Sequence, residues 1–148
     1  MYFLKYLVSA ILATTPVESE GWYDVERVEK NEDASLVDDS SIWVLFAKDL
    51  LSEEFQVRFP HAPSYRYTAS GGFEVGAMHN GESWQVAVQE LKGEAQLAPL
   101  SYQLEGKWIR EEFVQTATHL YHLKTVSLSA DSNVADEFIS SFSIGKIR

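Results

Sequence analysis

Four histidines are the side chains of this sequence that first suggest catalysis or metal binding. His119 and His122 are three positions apart in a predicted strand, so their side chains should point to opposite faces of the sheet. His79 lies beside a predicted turn, where it faces Glu82, and His61 lies between two prolines in a loop. A zinc site needs three or four converging ligands. The pattern therefore predicts surface or half-buried histidines and no metal site.

Nucleophiles with the spacing that catalysis requires are also missing from the sequence. It contains no Cys, no Gly-x-Ser-x-Gly elbow and no glycine-rich phosphate loop, which excludes thiol catalysis and leaves no motif for a serine hydrolase or a nucleotide-binding enzyme. Ser70 precedes Gly71-Gly72, but a turn explains that dipeptide. We predict no catalytic residue, no cofactor and no enzymatic activity.

Paired carboxylates and a set of aromatic residues are the remaining candidates for catalysis or ligand binding. Glu53-Glu54 and Glu111-Glu112 could act as a general acid and a general base. Adjacent residues of a strand face opposite ways, however, so Glu111-Glu112 cannot form a dyad, and solvated charge is the expected role. Tyr65, Tyr67 and Trp84 could line a ligand groove, although such residues more often form core. No binding residue is predicted from these groups.

Composition limits the class of partner. A chain of 148 residues with 45% hydrophobic residues is typical of one packed domain. The formal net charge is −10, and the basic residues are scattered without a run. Such a chain repels phosphate backbones, so we expect no nucleic-acid partner. The acidity provides solubility or complements a basic partner protein. The expected partner is another protein, and the oligomeric state stays open.

The first 19 residues resemble an export segment. Tyr6–Ala13 is an apolar stretch that follows a single Lys, and it is shorter than the roughly 20 residues that span a bilayer. It matches a secretory signal peptide with processing before Glu20. The alternative is an N-terminal element that packs on the domain. We therefore predict an apolar segment or signal peptide at 1–19, an acidic lead-in at 20–41 and one domain at 42–148, without a membrane span in the mature chain.

The clearest structural prediction is a β-hairpin around Asn80-Gly81. This dipeptide favours a two-residue type I′ turn, since both positions adopt positive φ. The turn would pair His79 with Glu82, Ala77 with Trp84, Val75 with Val86 and Phe73 with Val88. The last three pairs are apolar and lie on one face. Because the turn and the hydrophobic pattern give the same register, we expect this hairpin with its apolar face buried.

Further strands and a terminal helix complete the predicted domain. The predicted strands are Ile42–Ala47, Phe55–Phe59, Trp108–Thr116 and His119–Leu128. A turn at Glu105-Gly106 would place Tyr102 beside Ile109. Val134, Phe138 and Phe142 form the apolar stripe of a C-terminal helix capped by Asp131 or Ser132. An N-terminal helix would include Trp22, Val25 and Val28. The expected fold class is α+β, an antiparallel sheet of about six strands with helices on its faces.

Two segments carry a family resemblance. WVLFAKDLLSEEFQVRFPHAP, from Trp43, resembles the opening hairpin of small exported proteins with a PsbP/Mog1-like fold. IREEFVQTATHLYHLKTVSLSADSNVADEFISSFSI, from Ile109, is similar to their closing block of two strands and a helix ending in Phe-x-x-Ser-Phe. The resemblance covers about residues 42–144, but the central helix of that pattern is shortened or missing between Lys92 and Ser101. It implies an accessory or binding module and assigns no functional residue.

Three functional hypotheses follow. The first is an exported accessory or protein-interaction module, periplasmic or secreted, without catalytic activity. The second is a cytoplasmic acidic chaperone or adaptor, which would share the size and charge of this chain. The third is an enzyme or a small-ligand-binding protein that uses a pocket between sheet and helix. The absence of catalytic motifs favours the first hypothesis.

Overall fold

The computed structural model describes residues 22–24, 43–93 and 97–146 of the chain. Most of these residues lie in antiparallel β-strands. In chain order the elements are β1 (Tyr23–Asp24), β2 (Val44–Asp49), β3 (Glu53–Phe59), β4 (Ser64–Tyr67), β5 (Phe73–His79), β6 (Glu82–Glu90), β7 (Leu100–Leu104), β8 (Lys107–Gln115), β9 (His119–Ser127), α1 (Asn133–Ser140) and β10 (Ser143–Lys146). No helix formed by the described residues is long and apolar enough to cross a membrane.

The larger sheet has seven strands in the order β1-β4-β5-β6-β9-β8-β7. Its centre is the hairpin of β5 and β6, in which Asn80 and Gly81 both have positive φ. The observed register pairs Phe73 with Val88, Ala77 with Trp84 and His79 with Glu82, as predicted. The hairpin prediction is confirmed, because the turn chemistry and the buried apolar face specify the same pairing.

A second sheet of three strands, β10-β3-β2, changes the predicted architecture. β2 and β3 are antiparallel neighbours as predicted. β2 runs from Val44 to Asp49, and Ile42 of the predicted strand lies outside the described residues. The two strands do not join the larger sheet. Phe55, Val57 and Phe59 instead turn their shared apolar face into the core. The prediction of one sheet of about six strands was therefore incomplete, because an alternating strand shows which face it buries but not which sheet it joins.

The hydrophobic core lies between the two sheets. The face of the seven-stranded sheet that carries Trp84, Val86 and Tyr121 contributes one side of the core, and we call it the core face. The opposite side of that sheet is the outer face. Helix α1 closes the core beside β3, with Phe138 fully buried and its ring centroid 5.2 Å from that of Phe59.

The C-terminal helix begins where its sequence predicts but ends earlier: α1 stops at Ser140, with Ser141 as its C-cap, so Phe142 lies beyond the helix and the prediction that it belongs to the helical stripe was wrong. Ser132 is the N-cap, and its hydroxyl accepts a hydrogen bond from the Ala135 backbone N–H. Ala135 and Phe138 are its buried residues. After α1 the chain continues as β10, which pairs with β3. Among the described residues, the prediction that helices cover the sheet is thus confirmed only for α1, and the three-stranded sheet packs on the core face as well.

The remaining predictions fall near the N-terminus and before β7. The prediction of an N-terminal helix was wrong for Tyr23–Asp24, which forms the strand β1 and pairs with β4. Val25 and Val28 of that predicted helix lie outside the described residues, and so does the apolar segment 1–19. Residues 91–93 and 97–99 are loop, in agreement with the missing central helix. Tyr102 pairs with Ile109 across the Glu105-Gly106 turn, as predicted.

Candidate functional site

Strand β7 presents an open edge to solvent. Within the described residues it has a strand neighbour on one side only, β8. Glu105 and Gly106 both have positive φ and form a two-residue turn, so Leu104 and Lys107 are the hydrogen-bonded pair that flanks it. Hydrogen-bonded and non-hydrogen-bonded pairs alternate along an antiparallel ladder. Ser101 and Gln103 therefore direct their backbone N–H and C=O groups away from β8.

Apolar side chains surround these outward peptide groups. Leu100, Tyr102 and Leu104 alternate along the strand on the outer face, with exposed fractions of 49%, 38% and 55%. Leu97 just before the strand and Trp108 on β8 are also large and exposed. Natural edge strands are commonly protected by charges, prolines or bulges. The stretch from Leu100 to Leu104 carries no charge and no proline, so this edge, which we call the β7 edge, is suited to strand addition.

Behind the β7 edge, Glu111 connects two residues of the outer face. Its Oε1 lies 2.7 Å from Nε2 of His122, and its Oε2 accepts a hydrogen bond from the Tyr102 hydroxyl. The ring of Phe113 stacks on His122 at 4.7 Å between centroids. The Glu111 side chain is only 14% exposed. The expectation of solvated charge was wrong for Glu111, because residues from the neighbouring strands β7 and β9 bond its carboxylate.

These contacts shift the ionisation of the cluster. The hydrogen bond from His122 is the main cause that lowers the pKa of Glu111 to about 2; burial opposes it, and the Tyr102 hydroxyl adds to the lowering. Burial and the bond to Glu111 raise the pKa of Tyr102 to about 12. A carboxylate that orients a histidine resembles a general-base pair. Here both carboxylate oxygens are bonded within the sheet, which holds β7, β8 and β9 in register.

Acid should weaken the fold through this cluster. Because the pKa of Glu111 is lowered in the folded protein, its contribution is complete above its ordinary value of 4.5 and is lost as the pH falls toward about 2. Solvent screening reduces the contribution of a partly exposed group. As the pH falls over this range, the wild type should therefore lose about 1–2 kcal/mol more unfolding free energy than Glu111→Gln does. Urea unfolding across this pH range measures it. Glu112→Gln controls for the lost charge, and an unchanged slope in Glu111→Gln would contradict the assignment.

A second polar cluster lies between the two sheets, around Glu53. Its Oε2 accepts hydrogen bonds from the Tyr121 hydroxyl at 2.5 Å and from the Thr116 hydroxyl at 2.9 Å. Nδ1 of His119 lies 3.3 Å away. Burial raises the pKa of Glu53, but these hydrogen bonds and the nearby His119 outweigh it, so its pKa is lowered. The cluster joins β3 to β9 and was not predicted, since Glu53 and Tyr121 are 68 residues apart.

The four histidines do not converge on one site, as their positions in the sequence predicted for His119 and His122. His119 and His122 lie on opposite faces of β9, as predicted: His119 contacts Glu53 and His122 contacts Glu111. His61 stacks on His79 with ring centroids 3.8 Å apart, and burial, followed by the charge of His79, lowers the pKa of His61. Among the described residues, no three His, Asp or Glu side chains could hold one metal ion.

The other candidate residues have structural positions. Trp84 is buried in the hydrophobic core, and Tyr65 packs against that core. Tyr67 is exposed, and its hydroxyl accepts a hydrogen bond from Lys48 Nζ at 2.6 Å. Ser70 lies in a turn with Gly71 at positive φ, which confirms the turn interpretation. The residues that sequence reasoning missed are those of the β7 edge, although the alternation of Leu100, Tyr102 and Leu104 was visible.

The arrangement of residues at and behind the β7 edge is suited to binding. The β7 edge offers backbone hydrogen-bonding groups beside apolar side chains, and the outer-face cluster holds the edge in register. Comparison of the chain with protein-family models, with curated proteins and with solved structures gives no match. The resemblance to PsbP/Mog1-like proteins therefore stays a prediction, and the geometry of the β7 edge is the basis for assigning a function.

Proposed function

We propose that this protein is an exported accessory module that binds an extended segment of a partner protein at the β7 edge. The observation that carries the proposal is the pair of outward-facing peptide groups at Ser101 and Gln103, which have no strand neighbour among the described residues. An extended peptide can add to such an edge as a further strand, with main-chain hydrogen bonds providing affinity. The added strand would extend the seven-stranded sheet, of which β7 is an edge.

The side chains at the edge define the chemistry of the partner segment. Leu100, Tyr102 and Leu104 lie on one face, so a strand added beside them would place alternate residues next to this apolar row. The segment should therefore alternate apolar and polar residues. The chain carries a net charge of −10, and long-range attraction favours a partner whose segment has basic flanks. An apolar-alternating, basic-flanked segment is the occupant that we assign to the edge.

The exported location rests on the N-terminal sequence. Tyr6–Ala13 is apolar and is followed by small residues ahead of Glu20, in the pattern of a cleaved signal peptide. N-terminal sequencing of the protein purified from its native cells should begin near Glu20. A cytoplasmic chain that retains Met1 would overturn the location, while leaving the proposed strand binding at the β7 edge to its own test.

A proline at Gln103 should block partner binding without unfolding the protein. Gln103→Pro removes an N–H that points away from β8, and proline is tolerated at such edge positions. Loss of this hydrogen bond and a clash with the proline ring should weaken binding about tenfold or more. The measurement is the affinity of peptides selected on the wild-type protein from a displayed random library. Gln103→Ala is the matched control, because it loses the same side chain but keeps the N–H.

Two outcomes decide the proposal. Selected peptides that alternate apolar residues, bind Gln103→Ala normally and fail to bind Gln103→Pro would support strand addition. Slower hydrogen exchange of the Ser101 and Gln103 amides in the complex would locate the added strand directly. Peptides that bind Gln103→Pro as well as the wild type, or a selection that yields no binder, would overturn the proposal. Circular dichroism and urea unfolding of both variants confirm that they are folded.

A further inference from the structure

Strand β7 has nearly the same pattern of residues in both directions from Tyr102. Leu100 and Leu104 lie two positions away on either side, and the polar residues Ser101 and Gln103 lie one position away on either side. An antiparallel partner strand runs in the opposite direction. A strand with this symmetry therefore presents matching residues to a second copy of itself, as a twofold-symmetric interface requires.

The outward backbone groups of the β7 edge have the same symmetry. Ser101 and Gln103 direct their N–H and C=O groups away from β8, whereas Tyr102 between them directs its own toward β8. If two copies pair around Tyr102, Ser101 of each copy lies opposite Gln103 of the other. Each of these opposed pairs exchanges both of its N–H···O bonds, so the outward groups of Ser101 and Gln103 are all used.

The residues that flank the centre of β7 exclude the neighbouring registers. Pairing centred on Ser101 would place Gln103 opposite Pro99, which has no N–H to donate. Pairing centred on Gln103 would place Ser101 opposite Glu105, which has positive φ in the turn and is not extended. A register displaced by one residue would set outward groups against inward ones. The register centred on Tyr102 is therefore the one that the strand favours.

The side chains agree with this register in polarity and in charge. On the outer face, Tyr102 would lie opposite Tyr102 of the second copy, and Leu100 opposite Leu104, which gives one continuous apolar row. Lys107 is the neighbour of Leu104 on β8, and Glu111 is the neighbour of Leu100. Each line of side chains across the two sheets would therefore begin with Lys107 of one copy and end with Glu111 of the other, so its two ends carry opposite charges.

The size of the contact fits a reversible association. A pair of five-residue strands buries less than the roughly 1,200 Å² of a stable complex, and the net charge of −10 on each copy opposes close approach. An edge without charges or prolines is nevertheless a template for another chain. We propose that a second copy of this chain occupies the β7 edge when no partner segment is bound, through an antiparallel pair centred on Tyr102. The inference rests on the proposed function, since self-pairing regulates access to the same edge.

Sedimentation velocity of the full chain without peptide tests self-pairing. In about 0.3 M salt, which screens the repulsion between two acidic copies, we expect a monomer–dimer equilibrium with a Kd of about 0.1–1 mM. Gln103→Pro should raise this Kd about tenfold or more, because it removes an outward N–H. Gln103→Ala keeps that N–H and should dimerise within about twofold of the wild type. A wild type that stays monomeric at about 1 mM, or a Gln103→Pro variant that dimerises equally well, would overturn the inference.

A single cysteine locates the twofold axis, because the chain has no cysteine of its own. Opposed residues that are not hydrogen-bonded have Cα atoms about 4.5 Å apart, within the range that a disulfide bridges. Tyr102→Cys should therefore form a disulfide-linked dimer when oxidised glutathione is added. Leu104→Cys is the matched control, since the two Leu104 positions would lie about 14 Å apart along the strands and should link at least about tenfold more slowly. Equal rates for the two variants would contradict the register.

The two uses of the β7 edge can fail independently. Peptide affinity measured at about 1 μM protein, where the chain is monomeric, reports on the proposed function alone. Peptide binding to a chain that never dimerises would leave the proposed function standing and overturn self-pairing. Linkage through Tyr102→Cys with no peptide binder would overturn the proposed function and support self-pairing. A bound peptide should slow the Tyr102→Cys linkage about tenfold, and linkage that is unaffected by it would show that the two copies meet elsewhere.

Discussion

A Phe55→Ala variant is expected to lose about 3–5 kcal/mol of unfolding free energy, the range found when a large buried aromatic side chain is truncated. Phe55 is fully buried on β3. Its ring centroid lies 5.5 Å from that of Tyr121, 5.8 Å from Phe142 and 5.9 Å from Phe46. It therefore contacts β9 of the larger sheet, the chain after α1 and its own neighbour β2. Removing it opens a cavity where the two sheets meet.

Such a loss is large against the total of about 5–15 kcal/mol that is typical of a domain. Urea denaturation followed by tryptophan fluorescence measures the change. Leu45→Ala is the control, because Leu45 lies on the neighbouring strand β2 and is 37% exposed; a change within about 0.5 kcal/mol is expected there. A Phe55→Ala protein that is as stable as Leu45→Ala would show that the three-stranded sheet does not pack on the larger one as described.

Replacing Glu53 by alanine is expected to cost about 3 kcal/mol. The substitution removes the acceptor of the Tyr121 and Thr116 hydroxyls. Tyr121 is fully buried, so its hydroxyl would be left without a partner inside the protein. Deleting both partners should cost less than the two single changes together, since Tyr121→Phe removes the orphaned hydroxyl. The measurement is a double-mutant cycle of Glu53→Ala and Tyr121→Phe by urea unfolding.

The cycle should give a coupling of about 1 kcal/mol or more. Additive effects would contradict a direct bond between the two sheets at this point. The contribution of Glu53 also depends on pH. Because its pKa is lowered in the folded protein, the stabilisation is present above the ordinary carboxyl pKa and is lost as the pH falls through the folded value. The difference between wild type and Glu53→Ala should therefore narrow in acid, a result that a purely steric role would not produce.

Both variants bear on binding as well as on stability. Strand β9 lies between β6 and β8, and β8 carries β7. Contacts that fix β9 to the three-stranded sheet, through Phe55 and Glu53, therefore support the strands that present the β7 edge. A site is most effective when rigid elements hold it in place. Both changes act at a distance from the peptide contacts proposed for Gln103.

The sequence by itself determined the elements whose causes are local. Asn80-Gly81 favours a type I′ turn, and the apolar residues on either side of it admit one register, so the β5–β6 hairpin was predictable pair by pair. The N-cap at Ser132 and the stripe through Phe138 likewise predicted α1. The opposite orientation of His119 and His122 follows from strand periodicity alone. Each of these features depends on residues close together in the chain.

Only the tertiary structure decided which of those elements meet. Glu53 bonds Tyr121 across 68 residues, residues of β7 and β9 bond Glu111, and β2 and β3 form a separate sheet with β10. The same is true of the open β7 edge. A strand's alternation fixes the face that it buries, but pairing between distant strands depends on how all apolar faces are covered together. That arrangement is a property of the whole packed chain, and local sequence does not encode it.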